Sequence, residues 1–128
     1  MVTESVPARG NKDRATRVVV LGGAENQMGC IAAARRLGAD ITVVDPRPDV
    51  PGRWAADSWI QLDAASTPEI VSALAGVSVD AVVSDQSDYT ARASATLAAA
   101  LGVKGQDLAL IDACTNKYSM RRRLHSAV

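Results

Sequence analysis

Two short runs of β-branched residues constrain the fold of this chain more than any other feature. Arg17–Leu21 reads RVVVL and Ile41–Val44 reads ITVV, so both runs are apolar at nearly every position. A strand with one buried face alternates apolar and polar residues, whereas a strand inside a parallel sheet is buried on both faces. The segment from Asn26 to Leu37 has apolar residues at helical spacing and is followed by Gly38. This order predicts a parallel strand–helix–strand unit.

The middle of the chain repeats the alternation. Ser58–Leu62 and Asp80–Ser84 are predicted to be strands. A helix begins at Thr67, which we expect to be the capping residue, and a longer one is capped by Asp88 and runs to Leu101. The proline-rich stretch Pro46–Gly52 is predicted to be a loop.

The two ends of the chain carry weaker patterns. Asp107–Ala113 fits either a fifth strand or a helix capped by Asp107, and Lys117–Leu124 is predicted to be a helix. Residues 1–16 mix Pro, Gly and charged residues without an apolar period and are predicted to be a disordered tail. The whole pattern predicts a Rossmann-like α/β domain with three layers: an open parallel sheet of four to five strands, with helices on both faces.

Charge is unevenly distributed, although the chain's 14 basic and 14 acidic residues balance. Residues 18–116 contain 6 basic and 12 acidic residues, while residues 117–128 contain four basic residues and no acidic one. An acidic body is a poor non-specific binder of nucleic acid. The apolar runs have the length of strands, and no targeting or membrane-spanning pattern is present. We therefore expect a cytoplasmic domain that binds neither nucleic acid nor membrane.

Residue types suited to catalysis or metal binding are scarce. His125 is the only histidine, and Cys30 and Cys114 are far apart without a metal or redox spacing. A Ser-His-Asp or Cys-His constellation is therefore not expected, and a zinc site would lack ligands. The sequence predicts no catalytic and no metal-binding residue.

Open parallel sheets bind ligands beyond the carboxyl ends of their strands, which here are followed by Gly22–Gly29, Asp45, Asp63 and Asp85–Asp88. The glycine-rich loop opens a helix, an arrangement that favours an anion. Asp45 lies where a dinucleotide-binding fold places its ribose acid. The loop is longer than a G-x-G-x-x-G motif allows, because Gly23 and Gly29 are six residues apart. A tight turn into a closely packed helix is therefore favoured over direct phosphate binding.

The corner Asp85-Gln86-Ser87-Asp88 gathers polar side chains after the fourth predicted strand. Helix capping and local turn hydrogen bonds explain such residues without any ligand. The alternative is that the corner forms one wall of a substrate pocket, where the strand order of the sheet reverses.

The order and spacing of these pieces resemble the pre-ATP-grasp domain, which is the N-terminal domain of ATP-grasp enzymes. The resemblance covers about residues 17–128, and on it Asp107–Ala113 is interpreted as a short helix. Asn116 stands where an Asp is commoner in the family. The matching segments are VVVLGG at 18–23, AARRLG at 33–38, VVDP at 43–46, AD at 56–57, VDAVV at 79–83, LAAALG at 97–102 and NKYSMR at 116–121, followed by Leu124.

The resemblance implies that residues 17–113 form this domain and that residues 114–128 begin an ATP-grasp domain. Enzymes of the family use ATP and magnesium to activate a carboxylate as an acyl phosphate, which an amine or another nucleophile then attacks. Lys117 is implied to contact the nucleotide phosphates, a role that suits the compact charge of lysine. The domain is implied to supply walls of the substrate site, formed by Gly22, Gly23, Gln27, Met28, Gly29, Asp45, Asp85, Gln86 and Ser87.

The family's metal-binding carboxylates would lie beyond Val128. We therefore expect this chain alone to be inactive and to bind no cofactor tightly. Its implied partners are a small-molecule carboxylate and the remainder of the enzyme, and a homodimer is left open. Two alternatives remain: a stand-alone Rossmann-like module that binds a nucleotide, and a protein-interaction module whose partner supplies the other ATP-grasp parts.

Overall fold

A computed structural model describes residues 14–127 of the chain, so most of the predicted tail lies outside the described residues. A single 3-10 turn, Glu25–Gln27, precedes the first helix. The strands are β1 (Arg17–Leu21), β2 (Asp40–Val44), β3 (Ser58–Ile60) and β4 (Ala81–Ser84). The helices are α1 (Met28–Arg36), α2 (Pro51–Ala55), α3 (Thr67–Ala73), α4 (Asp88–Leu101), α5 (Leu108–Thr115) and α6 (Lys117–Ser126).

The four strands form one parallel sheet in the order β3-β2-β1-β4. After β3 the chain returns to the other side of β1, so the strand order reverses beside β1. An isolated bridge between Ala81 and Lys104 extends the sheet beyond β4 by one residue pair. The predicted Rossmann-like architecture is confirmed.

Apolar side chains cover both faces of the sheet. On one face Val19, Leu21 and Val44 pack against Ile70 of α3 and Leu97 of α4. Helices α1 and α2 cover the opposite face, where the buried residues are Val20, Ile31, Ile41, Val43 and Trp59. All five residues of β2 are buried, as its continuously apolar sequence predicts.

Three predictions of local structure were wrong. The proline-rich stretch 46–52 is not loop throughout, because α2 begins at Pro51, where the fixed φ of proline suits the first turn of a helix. Helix α4 is capped by Ser87, whose Oγ accepts a hydrogen bond from the Thr90 N–H at 3.3 Å, and Asp88 is its first residue. Helix α3 follows Ser66, so Thr67 lies inside it.

The helical interpretation of Asp107–Ala113 is confirmed, since α5 occupies this segment. Asp107 caps α5 by accepting hydrogen bonds from the N–H groups of Ala109 and Leu110 at 2.7 and 3.3 Å. Helix α5 packs against α4, and an ion pair joins Arg92 to Asp112. Within residues 14–127, no helix is long and apolar enough to cross a membrane.

Ion pairs fix the amino ends of the strands. Arg14 donates two hydrogen bonds to the Asp80 carboxylate, at 2.8 and 2.9 Å, and the Arg17 backbone N–H donates a third at 2.7 Å. The bonds from Arg14 are the main reason that the pKa of Asp80 lies below its usual range. Arg17 is itself buried beside Asp40. These contacts hold β1 in place from the end opposite to the candidate site.

Candidate functional site

The floor of the candidate site is formed where β1 and β2 end. Gly22 has a φ of +97°, a conformation that favours glycine, and its N–H donates to the Val44 carbonyl oxygen at 2.8 Å. The next amide, that of Gly23, donates to Asp45 Oδ2 at 2.9 Å. The glycine loop is thereby held on to the end of β2.

Asp45 is 2% exposed, and its carboxylate is fully engaged by the protein. Besides the Gly23 amide, it accepts hydrogen bonds from the backbone N–H, Nε and Nη2 of Arg47 at 2.9, 3.0 and 2.8 Å. Burial raises the pKa of Asp45, but the hydrogen bonds from Arg47 and Gly23 outweigh burial and keep that pKa below its usual value. Asp45 therefore orients its neighbours, Arg47 above all.

Gln27 ties the glycine loop to the corner after β4. Its buried side chain accepts a hydrogen bond from the Ala24 N–H through Oε1 at 2.9 Å, and its Nε2 donates to the Asp85 carbonyl oxygen at 3.2 Å. Gln86, next to Asp85, has a φ of +65°, which is uncommon for a residue other than glycine. The corner and the loop are consequently joined into one wall.

The back of the glycine loop packs directly on α2. The Gly52 N–H donates to the Gly23 carbonyl oxygen at 2.7 Å. A Cβ added to Gly52 would lie 2.5 Å from the Gly23 Cα, and one added to Gly23 would lie 2.9 Å from Val43 Cγ1. Gly23 is needed for this close approach of two backbone segments, which is made to α2 and not to the helix that the loop opens.

A cleft of about 340 Å³ lies above this floor. It is bounded by the glycine loop, the segments that follow β2 and β3, and the first turn of α4. Arg47 is the one cationic side chain among the described residues that line it, and the acidic ones are Asp45 and Asp63. The larger groove beside α6 is an open surface along one exposed helix, so we place the candidate site in the smaller cleft.

A hydrogen bond closes one side of the cleft. The Tyr89 hydroxyl donates to Asp63 Oδ1, which also accepts from the Ala65 N–H. Asp63 follows β3 and Tyr89 follows β4, the two edge strands of the sheet. The bond to Asp63 is also the main reason that the pKa of Tyr89 lies above its usual value.

The structure brings some of the predicted site residues together and leaves others apart. Gly23 and Asp85 do not line the cleft but form hydrogen bonds with residues that do, Asp45 and Gln27 respectively. Met28, Gly29 and Gln86 are not among the residues that line it. Those that do line it are Gly22, Gln27, Asp45 and Ser87.

Several residues that line the cleft are not among the predicted site residues, and Asn26, Arg47, Tyr89 and Thr90 are polar ones. Arg47 lies two residues after the end of a predicted strand, which is a usable signal for it. Tyr89 lies inside a helix, and the sequence carried no signal that it faces a loop from the opposite edge of the sheet.

Lys117 lies apart from the cleft, in the first turn of α6. Asn116 caps this helix by accepting hydrogen bonds from the N–H groups of Tyr118 and Ser119 at 3.0 and 3.1 Å. No described residue of α6 is buried, so the helix presents its basic side chains to solvent. Lys117 is thus accessible to an anionic ligand, and it does not line the cleft.

Side chains of the types that could bind a metal ion, and the cysteine nearest to the cleft corner, lie in the described part of the chain. Residues 14–127 hold no group of three or more His, Cys, Asp or Glu side chains able to bind a metal ion. Cys30 is half-buried, and burial followed by the charge of Asp85 raises the pKa of its thiol. A raised pKa disfavours the nucleophilic thiolate.

Comparison with solved structures identifies the same fold in several synthetases and in a ligase. No protein-family model matches the sequence, and no curated protein matches it either. L-amino acid ligase from Bacillus licheniformis superposes with a TM-score of 0.75 at 20% identity, over 90% of this chain and 31% of that one. Phosphoribosylglycinamide synthetase from Anaerococcus prevotii gives 0.73 at 21% identity, over 88% and 29%.

A third similar structure contains a nucleotide. N5-carboxyaminoimidazole synthetase from Staphylococcus aureus, complexed with ADP, gives a TM-score of 0.69 at 18% identity, over 95% of this chain and 32% of that one. The chain therefore spans about a third of the length of the structures it matches. Its fold is that of a region found in these synthetases and ligases.

Proposed function

We propose that this chain is the N-terminal, substrate-side domain of an ATP-dependent ligase of the ATP-grasp superfamily, which joins a carboxylate to an amine through an acyl phosphate. The observation that carries the proposal is the cleft at the carboxyl ends of β1 and β2, in a fold shared with synthetases and a ligase. The segments NKYSMR and VVDP, which resemble that superfamily, support it independently.

In this proposal the domain binds and orients substrate and leaves phosphoryl transfer to the rest of the enzyme. The glycine loop and the 85–88 corner, joined by Gln27, form one wall of the site, and the hydrogen bond between Tyr89 and Asp63 links the residues on another side. Wall residues of this kind hold a substrate near its reactive geometry, which lowers the entropic part of the barrier. The proposed substrate is a small-molecule carboxylate. We also propose that the enzyme is cytoplasmic and does not bind nucleic acid.

ATP supplies the phosphoryl group in such a ligase, and magnesium neutralises its charge. The exposed ammonium group of Lys117, at the start of α6, suits contact with a phosphate. The carboxylates of residues 14–127 form no cluster that would hold magnesium, so the metal would be held by the remainder of the enzyme. We therefore propose that the chain is inactive by itself.

The test compares the 128-residue chain with the longest reading frame of its source DNA that contains it. Both are supplied with ATP, magnesium and a panel of carboxylates and amines, and ADP release is measured. We expect ADP release from the longer protein, reduced at least tenfold by Lys117→Met and unchanged by Lys104→Met. ADP release by the 128-residue chain alone would overturn the proposed division of labour.

A stand-alone dinucleotide-binding module is the competing function. It would need Asp45 to accept hydrogen bonds from a ribose, yet the Asp45 carboxylate already accepts four from the protein. Tight NADH binding, followed by fluorescence, would favour this module over the ligase domain.

A further inference from the structure

We propose that Arg47 is a specificity residue of the cleft, which binds the carboxylate group of a small monoanionic ligand. This inference rests on the proposed function, in which the cleft is the substrate site. It adds Arg47, which follows β2, to the glycine loop and the 85–88 corner that are proposed to form walls of the substrate site.

Arg47 is held in one orientation before any ligand binds. Its Nε and Nη2 donate to the two oxygens of Asp45 at 3.0 and 2.8 Å, and its own backbone N–H donates to the same carboxylate. Asp45 is 2% exposed and is fixed in turn by the Gly23 amide. A guanidinium fixed in this way loses little conformational entropy when it forms another hydrogen bond.

One edge of the guanidinium remains available. Nη1 of Arg47 has no hydrogen-bond partner among residues 14–127, and 57% of the Arg47 side chain is exposed, against 2% for Asp45. Asn26, whose side chain also lines the cleft and is exposed, can donate a further hydrogen bond. Two donor groups therefore border a space of about 340 Å³, which suits a small ligand.

The charges that line the cleft select the class of anion. Asp45 and Asp63 carry two negative charges and Arg47 carries one positive charge, so the described lining has a formal charge of −1. A lining of this charge opposes a phosphate dianion more strongly than a singly charged carboxylate, which can also accept hydrogen bonds from the guanidinium edge. The arrangement favours a monocarboxylate.

The test is a titration of the ¹⁵N-labelled 128-residue chain, followed by the Arg47 Nε–H resonance and the backbone amide of Asn26. The probes are sodium acetate, methyl acetate and inorganic phosphate, at constant ionic strength set with sodium chloride. We expect acetate to shift both resonances saturably, with half-saturation on the order of millimolar concentration. Methyl acetate should cause no saturable shift, and phosphate should bind at least fivefold more weakly than acetate.

Arg47→Lys keeps the positive charge but loses the planar guanidinium group with its several N–H donors. We therefore expect the acetate concentration at half-saturation, measured at the Asn26 amide, to rise at least fivefold. The matched control is Arg36→Lys on the exposed end of α1, which should leave it unchanged. An undiminished shift in Arg47→Lys, or tighter binding of phosphate than of acetate, would overturn the proposal. If Arg47→Lys does not fold, the wild-type comparison of acetate with methyl acetate decides the question.

The outcome is separable from that of the proposed function. Saturable binding of acetate together with no ADP release by the longer protein would count against the ligase and leave Arg47 as an anion-binding residue. Carboxylate-dependent ADP release without a shift at Arg47 would count against Arg47 alone.

Discussion

Gly52 lies against Gly23 so closely that its N–H reaches the Gly23 carbonyl oxygen at 2.7 Å, and a Cβ on Gly52 would stand 2.5 Å from the Gly23 Cα. This contact presses the first turns of α2 on to the back of the glycine loop. The front of the same loop is the floor of the cleft. The shape of the cleft therefore depends on two residues without side chains.

Gly52→Ala is expected to destabilise the protein by about 1–3 kcal/mol, because the new methyl group must displace backbone atoms. The matched control is Gly29→Ala on α1, where a Cβ would meet no atom within 4 Å. That change should be neutral or stabilising by up to about 1 kcal/mol, since alanine favours helix. Urea unfolding of both variants measures the difference, and equal free energies of unfolding would contradict the close approach.

The stability of the fold should fall in acid partly through Asp45. Its pKa is lower in the folded protein than in the unfolded chain, so its contribution is present above the unfolded value of about 3.9 and is lost as pH falls through the folded pKa. A ¹³C titration of the Asp45 carboxyl group measures this pKa directly. Arg47→Gln removes side-chain donors and should raise it, whereas Arg36→Gln should not. A pKa that does not change in Arg47→Gln would show that the pair does not form.

Tyr89 should ionise above the usual tyrosine pKa of about 10, because its hydroxyl donates to Asp63. An ultraviolet absorbance titration can follow it, since the chain has two tyrosines and Tyr118→Phe leaves Tyr89 as the single signal. In that background Asp63→Asn should lower the pKa of Tyr89 towards 10. Glu69→Gln, an exposed acid on α3, serves as the control. A pKa that Asp63→Asn leaves unchanged would mean that the cleft is open on this side.

Asn116 should determine whether α6 holds its first turn. Asn116→Ala removes the acceptor for two backbone N–H groups and should destabilise the start of α6 by about 0.5–2 kcal/mol. Asn116→Asp, the residue commoner in the resembled family, should retain the cap. Hydrogen exchange of the α6 amides measures the effect. Asp107→Ala is the control, because it removes the cap of α5 and should increase exchange at the start of α5 and not of α6. Equal protection in Asn116→Ala and the wild type would rule out this cap.

The sequence predicted much of the secondary structure because burial leaves a local pattern. The runs at Arg17–Leu21 and Ile41–Val44 are continuously apolar since both faces of their strands are covered, and β1 has the predicted bounds. Prediction failed where one local pattern fits two structures. The proline-rich stretch 46–52 is predicted to be a loop throughout, but proline is equally typical of the first turn of a helix, and α2 begins at Pro51.

By itself, the sequence determined that the chain forms strand–helix units of a parallel sheet and that ligands would bind where its strands end. Only the tertiary structure decided which side chains meet there. Gln27 and the Asp85 carbonyl are 58 positions apart, and Tyr89 and Asp63 are 26 apart. Their contacts follow from the strand order β3-β2-β1-β4, which periodicity does not encode, because a hydrophobic pattern specifies that a residue is buried or exposed and not which residue it faces.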